Sequence, residues 1–245
     1  MSDLLHFSEH TLQEVALVFM ATVYTIRIFW LLRFKAGKDR QAQGGIPGRT
    51  DATKGALWSL GIVAMPWAME SQRTKPLFYL QFVLFHLGVA AAIGLSFIIP
   101  YLPGLLEISW VQPLLQTLIG AAFVVGLLRV FRRLTNKHIR HISSPDDIFA
   151  VILLTTWFAF AWLSVPNSTA GGEGILLTYF IMTAFFLMYV PFSKIGHYLY
   201  YPFTRYYLGK TLGYRGVYPL EPSIKPEPRN NPQASREKVP ASAQA

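Results

Sequence analysis

The fold of this chain is decided by residues 76–100, PLFYLQFVLFHLGVAAAIGLSFIIP, a run that contains no Asp, Glu, Lys or Arg. An α-helix needs roughly 20 apolar residues to cross a hydrocarbon core about 30 Å thick. Because backbone amides in lipid must be paired within the segment, a run of this length predicts a membrane-spanning helix. A single imidazole, His86, lies inside it.

Four further apolar runs have a comparable length, and they cover residues 11–34, 112–131, 147–165 and 173–200. Only 14% of the 245 residues are charged, and 52% are hydrophobic. Soluble domains carry about 25% charged residues, so this composition favours a membrane protein. We therefore predict an all-α integral membrane protein, a bundle of five transmembrane helices.

The lysines and arginines predict the orientation of this bundle. Eight lie between Arg33 and Lys75, five between Arg129 and Arg140, and eight from Lys194 onward. The intervening loops, residues 1–10, 101–111 and 166–173, contain none. Because basic loops stay in the cytoplasm, the N-terminus is predicted outside and the C-terminus in the cytoplasm of a cell inner membrane. The net charge of +9 is thus explained by topology and does not indicate nucleic-acid binding.

Two segments lie outside the predicted helices. Residues 1–205 are predicted to form the membrane domain, with a cytoplasmic or interfacial segment at 35–75 whose apolar stretch 55–69 is too short to span. This stretch is expected to lie flat at the membrane surface or to pack against the bundle. Residues 206–245 are predicted to form a cytoplasmic tail, with a disordered part from about residue 220 because that part is poor in apolar residues.

Two histidines, His86 and His197, fall in or at the edge of predicted helices, in the same half of the membrane. An ionisable residue at membrane depth is costly and suggests a function. Two imidazoles on facing helices are what a b-type haem needs for axial ligation. The alternative is that both are hydrogen-bonded packing residues. The chain has no cysteine, which excludes a cluster, a thiolate-bound zinc or a covalently attached haem of its own.

Other residues near the same face fit a haem site. The candidates for pairing with haem propionates are Arg27, Arg129, Arg132 and Arg133. Three glycines, Gly88, Gly120 and Gly126, are small enough for a flat macrocycle to approach the helix backbone. The alternatives are that the arginines anchor the topology and that the glycines permit close helix contact. His138 and His141 have a spacing that suits a metal, but a solvated basic loop is the simpler interpretation.

The sequence resembles the gamma subunit of respiratory nitrate reductase and related cytochrome b subunits, which include those of sulfite-reduction-associated and heterodisulfide-reductase-like complexes. The resemblance rests on residues 85–88 (FHLG), residues 144–148 (SPDDI) and residues 191–194 (PFSK) followed by His197, with a weaker match at residues 30–33 (WLLR). It implies that His86 and His197 are axial ligands of the haem on the cytoplasmic side.

The chain departs from that family at the second pair of haem ligands. The corresponding positions hold Ser96 and Tyr179, which are poor ligands for haem iron. The resemblance therefore implies one haem at most, and it puts the outer quinol site of the family in doubt. We hypothesise that quinone reacts near the cytoplasmic face instead.

These expectations describe a membrane-anchor cytochrome b subunit of a respiratory oxidoreductase complex, which is not catalytic on its own. It would transfer electrons between the quinone pool and a cytoplasmic iron–sulfur subunit through one haem b, with the partner docked on the basic loops around residues 129–149. The alternative is a haem-free anchor or assembly subunit. A transporter is disfavoured because the sequence shows no inverted repeat and helices one to four have no acidic residue deep in the membrane.

Overall fold

The computed structural model describes residues 2–34, 37, 40–44 and 51–219, and all regular structure in these residues is helical. The α-helices, in chain order, are α1 (Asp3–Glu9), α2 (Thr11–Arg33), α3 (Ala52–Gly61), α4 (Glu70–Thr74), α5 (Pro76–Tyr101), α6 (Val111–Thr135), α7 (Lys137–Ile142), α8 (Pro145–Ser164), α9 (Gly174–Tyr189) and α10 (His197–Tyr214).

Within the described residues, five helices are long and apolar enough to cross a membrane, as the sequence predicts. They are α1 together with α2, then α5, α6, α8 and α9 with its following turn. Two of them begin at a proline, Pro76 and Pro145, where the missing N–H costs nothing because the first turn leaves its amides unpaired. Ser144 and Asp147 close a capping box at the start of α8.

The five spanning helices form an arc, in which neighbours pack in the order α2, α9, α8, α6 and α5. One end of the bundle, here called the acidic end, carries Asp3, Glu107 and Glu173. The other, here called the basic end, carries Arg33, Lys75, Arg132 and Lys194. The two ends of the arc meet at the acidic end, where the Tyr101 hydroxyl donates to Glu14 over 3.0 Å.

The middle of the bundle and its acidic half are filled with large side chains. Phe158, Tyr179 and Phe180 are fully buried, and Trp157 is nearly so. The indole N–H of Trp157 donates to Thr183 over 2.9 Å, so its polar group is satisfied inside the core. These aromatic contacts join α5, α8 and α9 into one core.

The fifth spanning helix is shorter than the predicted 173–200. Helix α9 ends at Tyr189, two 3₁₀ turns follow at Val190–Phe192 and Lys194–Gly196, and α10 then begins at His197. Pro191 accounts for the break, because its ring and missing N–H disfavour a continuing α-helix. His197 therefore lies in the first turn of a new helix and not in the last turn of the fifth span.

Helix α10 pairs with α3 through glycine. A Cβ added at Gly209 would lie 2.4 Å from the carbonyl oxygen of Gly55, so only glycine permits this approach. Arg205 also donates to the carbonyl of Ser59 over 3.1 Å. The apolar stretch predicted at 55–69 is thus packed on α10 in its first part. Helix α10 runs across the predicted boundary between residues 205 and 206, and the tail from residue 220 lies outside the described residues.

Candidate functional site

The two histidines singled out by the sequence lie side by side near the basic end. The ring centres of His86, on α5, and His197, at the start of α10, are 6.3 Å apart, and the ring planes are nearly perpendicular at 85°. Both side chains are exposed, in contrast to the filled core above them. The structure therefore brings together residues that are 111 positions apart in the sequence.

Each imidazole is held through its Nδ1 atom. His86 Nδ1 lies 2.7 Å from the carbonyl oxygen of Phe82, and His197 Nδ1 lies 3.0 Å from the carbonyl oxygen of Lys194. A carbonyl only accepts, so each Nδ1 carries a proton, and in a neutral imidazole the lone pair is then on Nε2. Metal-binding histidines use this arrangement, in which the N–H that faces away from the metal is bonded to a carbonyl or carboxylate.

The spacing of the two rings fits a shared metal. An imidazole nitrogen lies about 2 Å from a metal that it binds, and the ring centre lies about 1 Å further away, so two axial rings are about 6 Å apart. The observed 6.3 Å matches this value. The distance between the ring centres thus agrees with the spacing that two axial histidines of one haem require.

The turn that carries His197 is anchored to α8. Lys194 donates to Asp147 Oδ1 over 3.0 Å and to the Ser144 hydroxyl over 2.9 Å. The carbonyl of the same lysine accepts from His197, so the cap of α8 positions the imidazole through one intermediate residue. Two of the motifs that carry the family resemblance, residues 144–148 and 191–194, thus contact each other. The sequence singled out both motifs without predicting this contact.

Aromatic rings surround His86 on its own helix. The Phe82 ring centre lies 4.3 Å from the imidazole, and that of Phe85 lies 6.1 Å away. The sequence alone does not single out Phe82, although its position four residues before His86 places both on one helix face. Phe85 points inward and contacts Phe158 at 5.3 Å, so it links the exposed imidazole to the core.

The four arginines predicted as propionate partners lie in different surroundings. Arg129 lies over the Phe85 ring at 4.2 Å, and Arg132 over the Phe78 ring at 4.9 Å, so both approach α5 below His86. Arg27 donates to the Tyr200 hydroxyl over 3.1 Å, one turn beyond His197. Arg133 donates to Ser143 over 2.6 Å and belongs to the connection between α7 and α8.

The three glycines expected beside a macrocycle have another role. A Cβ at Gly88 would lie 2.1 Å from the Cβ of Ala122 on α6, and one at Gly126 would lie 2.6 Å from the Thr155 hydroxyl. Gly120 faces Trp162 at 3.1 Å. They permit close helix contact, which is the alternative that the sequence left open, and the expectation that they border a macrocycle is wrong.

The positions of the missing second ligand pair lie within the filled part of the bundle. Tyr179 is fully buried and donates to the carbonyl of Ala92 over 2.6 Å. Ser96 is nearly buried and donates to the carbonyl of its own helix at Ile93 over 2.7 Å. Both hydroxyls are thus used in packing the core.

The remaining four histidines lie outside this pair. His6 and His10 lie together at the acidic end, with ring centres 4.7 Å apart. His138 and His141 are exposed on α7. Among the described residues, no three His, Cys, Asp or Glu side chains are grouped so that they could hold a metal ion.

The described residues form a helical protein with five helices that are long and apolar enough to cross a membrane. At one end of these helices lies the closely spaced pair of imidazoles, His86 and His197. Compared with protein-family models, curated proteins and solved structures, the chain has no significant match.

Proposed function

We propose that this chain is the membrane-anchor cytochrome b subunit of a respiratory oxidoreductase complex in the cell inner membrane. It transfers electrons between the quinone pool and a cytoplasmic iron–sulfur subunit through one haem b. The observation that carries this proposal is the pair of imidazoles, His86 and His197, whose ring centres lie 6.3 Å apart with both Nδ1 atoms bonded to carbonyls.

A bound haem b supplies one-electron redox chemistry, and the protein supplies its ligands and surroundings. His86 and His197 present their Nε2 lone pairs from α5 and α10. The carbonyls of Phe82 and Lys194 fix the orientation of both rings and increase the basicity of the ligand nitrogens. Arg129 and Arg132, which approach the same side of α5, provide positive charge for carboxylate groups.

The filled acidic half supports a single haem. Tyr179 and Ser96 replace the second ligand pair of the family that the sequence resembles, and both lie in a packed region with their hydroxyls bonded. We therefore propose that electrons enter and leave near the basic end and that quinone reacts on the same side as the iron–sulfur partner.

The short helix α7 supports docking of the partner at the basic end. It projects from the α6–α8 connection with Lys137, Arg140 and His141 exposed, and Ile142 is 83% exposed. Positive charge beside an exposed apolar side chain is typical of a contact with an acidic protein surface. Arg140→Glu and Ile142→Glu should both reduce co-purification of the iron–sulfur subunit, and an unchanged yield in both would contradict this placement.

The haem is tested by the ratio of haem to protein in the purified chain, measured as the pyridine haemochrome. We expect about one haem per chain and a b-type reduced band that is lost in His86→Ala and in His197→Ala. His138→Ala, which changes an exposed histidine on α7, is the matched control and should keep the band.

Two outcomes would refute the cytochrome. A purified, folded wild-type chain without haem would favour the alternative, a haem-free anchor or assembly subunit. A band that survives both axial substitutions would show that the haem is held elsewhere. A ratio of about two would instead contradict the single-haem proposal while leaving the His86–His197 pair intact.

A further inference from the structure

A cleft opens at the basic end between the start of α5, the end of α6 and the segment that joins α3 to α5. Its volume is about 440 Å³, and Val63 and Gln72 of the joining segment line one side of it. Small-molecule sites in proteins have volumes of about 300–1,000 Å³, so the cleft is large enough for a polar head group. The described residues that line it include no carboxylate.

A hydrogen bond joins two walls of the cleft. The Tyr79 hydroxyl, on α5, donates to the carbonyl oxygen of Val63 over 3.1 Å, and both residues line the cleft. Phe82, one turn further along α5, lines the same wall as Tyr79. Because the segment after α3 is fixed against α5 in this way, the cleft between them has a defined shape.

Two cations line the cleft and give it a positive charge. Lys75 lies just before α5, and Arg132 lies in the last turn of α6; both are exposed. The guanidinium carbon of Arg132 lies 4.9 Å from the ring centre of Phe78, which also lines the cleft. Neither cation forms an ion pair within the part of the chain that the structure describes. The charge of the cleft therefore favours an anionic ligand.

The same cleft has an apolar side that a free anion would not use. The rings of Phe78 and Phe82 line it, and Leu77 and Phe131, the chain neighbours of Phe78 and Arg132, are exposed on the spanning helices. An apolar side chain that is exposed on a spanning helix faces the hydrocarbon of the bilayer. Positive charge beside such side chains matches a ligand that has an anionic head and an apolar tail.

We propose that this cleft binds the head group of an anionic phospholipid, whose acyl chains lie along α5 and α6 in the bilayer. The phosphate accepts charge-assisted hydrogen bonds from Lys75 and Arg132. A guanidinium has five N–H donors, so this contact leaves donors of Arg132 for a haem carboxylate. Basic pockets between spanning helices at the cytoplasmic side bind such head groups in other membrane proteins. The proposal goes beyond the cytochrome function and depends on the membrane-spanning helices alone, with or without a haem.

Net charge decides which phospholipid the cleft selects. A phosphatidylcholine head group carries a quaternary ammonium beside its phosphate, and this cation would meet two like charges without a carboxylate among the described lining residues. A phosphatidylglycerol head group has a phosphate and hydroxyls only, so it keeps the contacts to both cations. Inorganic phosphate offers the same oxygens without acyl chains, so it distinguishes a free anion from a lipid.

The test titrates short-chain phosphatidylglycerol, phosphatidylcholine with the same acyl chains, and inorganic phosphate into the purified full chain in a nonionic detergent, with calorimetry as the readout. We expect saturable binding that is tightest for phosphatidylglycerol. Lys75→Gln/Arg132→Gln should weaken this binding at least about tenfold, because it removes both charged donors. Lys137→Gln/Arg140→Gln, which removes the same charge from exposed positions on α7, is the matched control and should bind like the wild type.

Three outcomes would overturn the proposal. Equal weakening in the two double variants would show that the lipid responds only to the net charge of the basic end. Val63→Trp keeps every charge and fills the cleft, so wild-type affinity in this variant, once circular dichroism shows it to be folded, would place the lipid elsewhere. Phosphatidylcholine or inorganic phosphate that binds as tightly as phosphatidylglycerol would show that the cleft does not select an anionic lipid. The charge variants alter exposed side chains, so they decide the question even if Val63→Trp does not fold.

Discussion

The two halves of this bundle differ in how their aromatic residues are used. In the acidic half, Phe158 and Tyr179 are fully buried and the tyrosine hydroxyl is bonded to a helix carbonyl. In the basic half, His86 and His197 are exposed, and a cleft opens one turn below His86. The same five helices therefore provide a packed scaffold at one end and an open site at the other. The difference teaches that the buried contacts that stabilise the bundle and the open surface beside the two histidines lie in different halves.

The largest effect is expected in the packed half. Phe158→Ala should lower the free energy of unfolding by about 3–5 kcal/mol, because it removes a fully buried ring and leaves a cavity in the core. Phe131→Ala removes a ring that is 66% exposed in the basic half and should change it by no more than about 0.5 kcal/mol. Both are measured by denaturant titration in detergent. Equal effects would contradict the division of the bundle into two halves.

The packed half also shows how far the sequence alone predicts this fold. The five apolar runs predict the five spans, because length and composition are set by the thickness of the hydrocarbon core. The start of α5 at Pro76 agrees with the predicted span 76–100, and α8 begins at Pro145, two residues before the predicted start at 147. The end of the fifth helix was missed, although Pro191 is a local signal for it, because the apolar run continues past the proline.

The pairing of α3 with α10 could not be predicted from local patterns. Gly55 and Ser59 on one helix, and Gly209 and Gly213 on the other, have the four-residue spacing that permits close packing, and that spacing is the only signal in the sequence. Such a spacing does not identify its partner helix, which lies about 150 residues away. Val63, which lines the cleft, belongs to the segment that follows α3.

The candidate site could be predicted only in part for the same reason. His86 and His197 follow from the rarity of ionisable residues in a membrane and from the family resemblance. The connection from Asp147 through Lys194 to His197 depends on a contact between distant segments, which no single motif shows. Phe82 and Gln72 have ordinary positions in the sequence, and only the structure brings them to one cleft.

A smaller effect is expected where the two halves join on α5. Gly88→Ala should lower the free energy of unfolding by about 1–3 kcal/mol, because the new Cβ would lie 2.1 Å from the Cβ of Ala122 and would push α5 from α6. Gly94→Ala on the same helix meets nothing within 4 Å. It should raise the free energy by about 0.5–1 kcal/mol, because alanine favours a helix. The two substitutions are identical in chemistry, so effects of the same sign would contradict the packing described for Gly88.

The smallest effect is expected at the acidic end and depends on pH. Glu173 accepts hydrogen bonds from the Ser2 hydroxyl and from the Ser2 backbone N–H, the latter at 2.7 Å. These bonds lower the pKa of Glu173 below its ordinary value of 4.5, and the bond from the hydroxyl has the larger effect.

A carboxyl whose pKa is lower in the folded state stabilises the fold at pH values above its ordinary pKa. This contribution is lost as the pH falls through the folded pKa. We therefore expect the protection factors of the α1 amides, which compare the exchange rate with the intrinsic rate at the same pH, to fall below about pH 4.5, with no comparable change in α10. In Glu173→Gln the protection factors of α1 should be low already at neutral pH and should change little with pH. A pH response that persists in this variant would show that another group at the acidic end holds α1 in place.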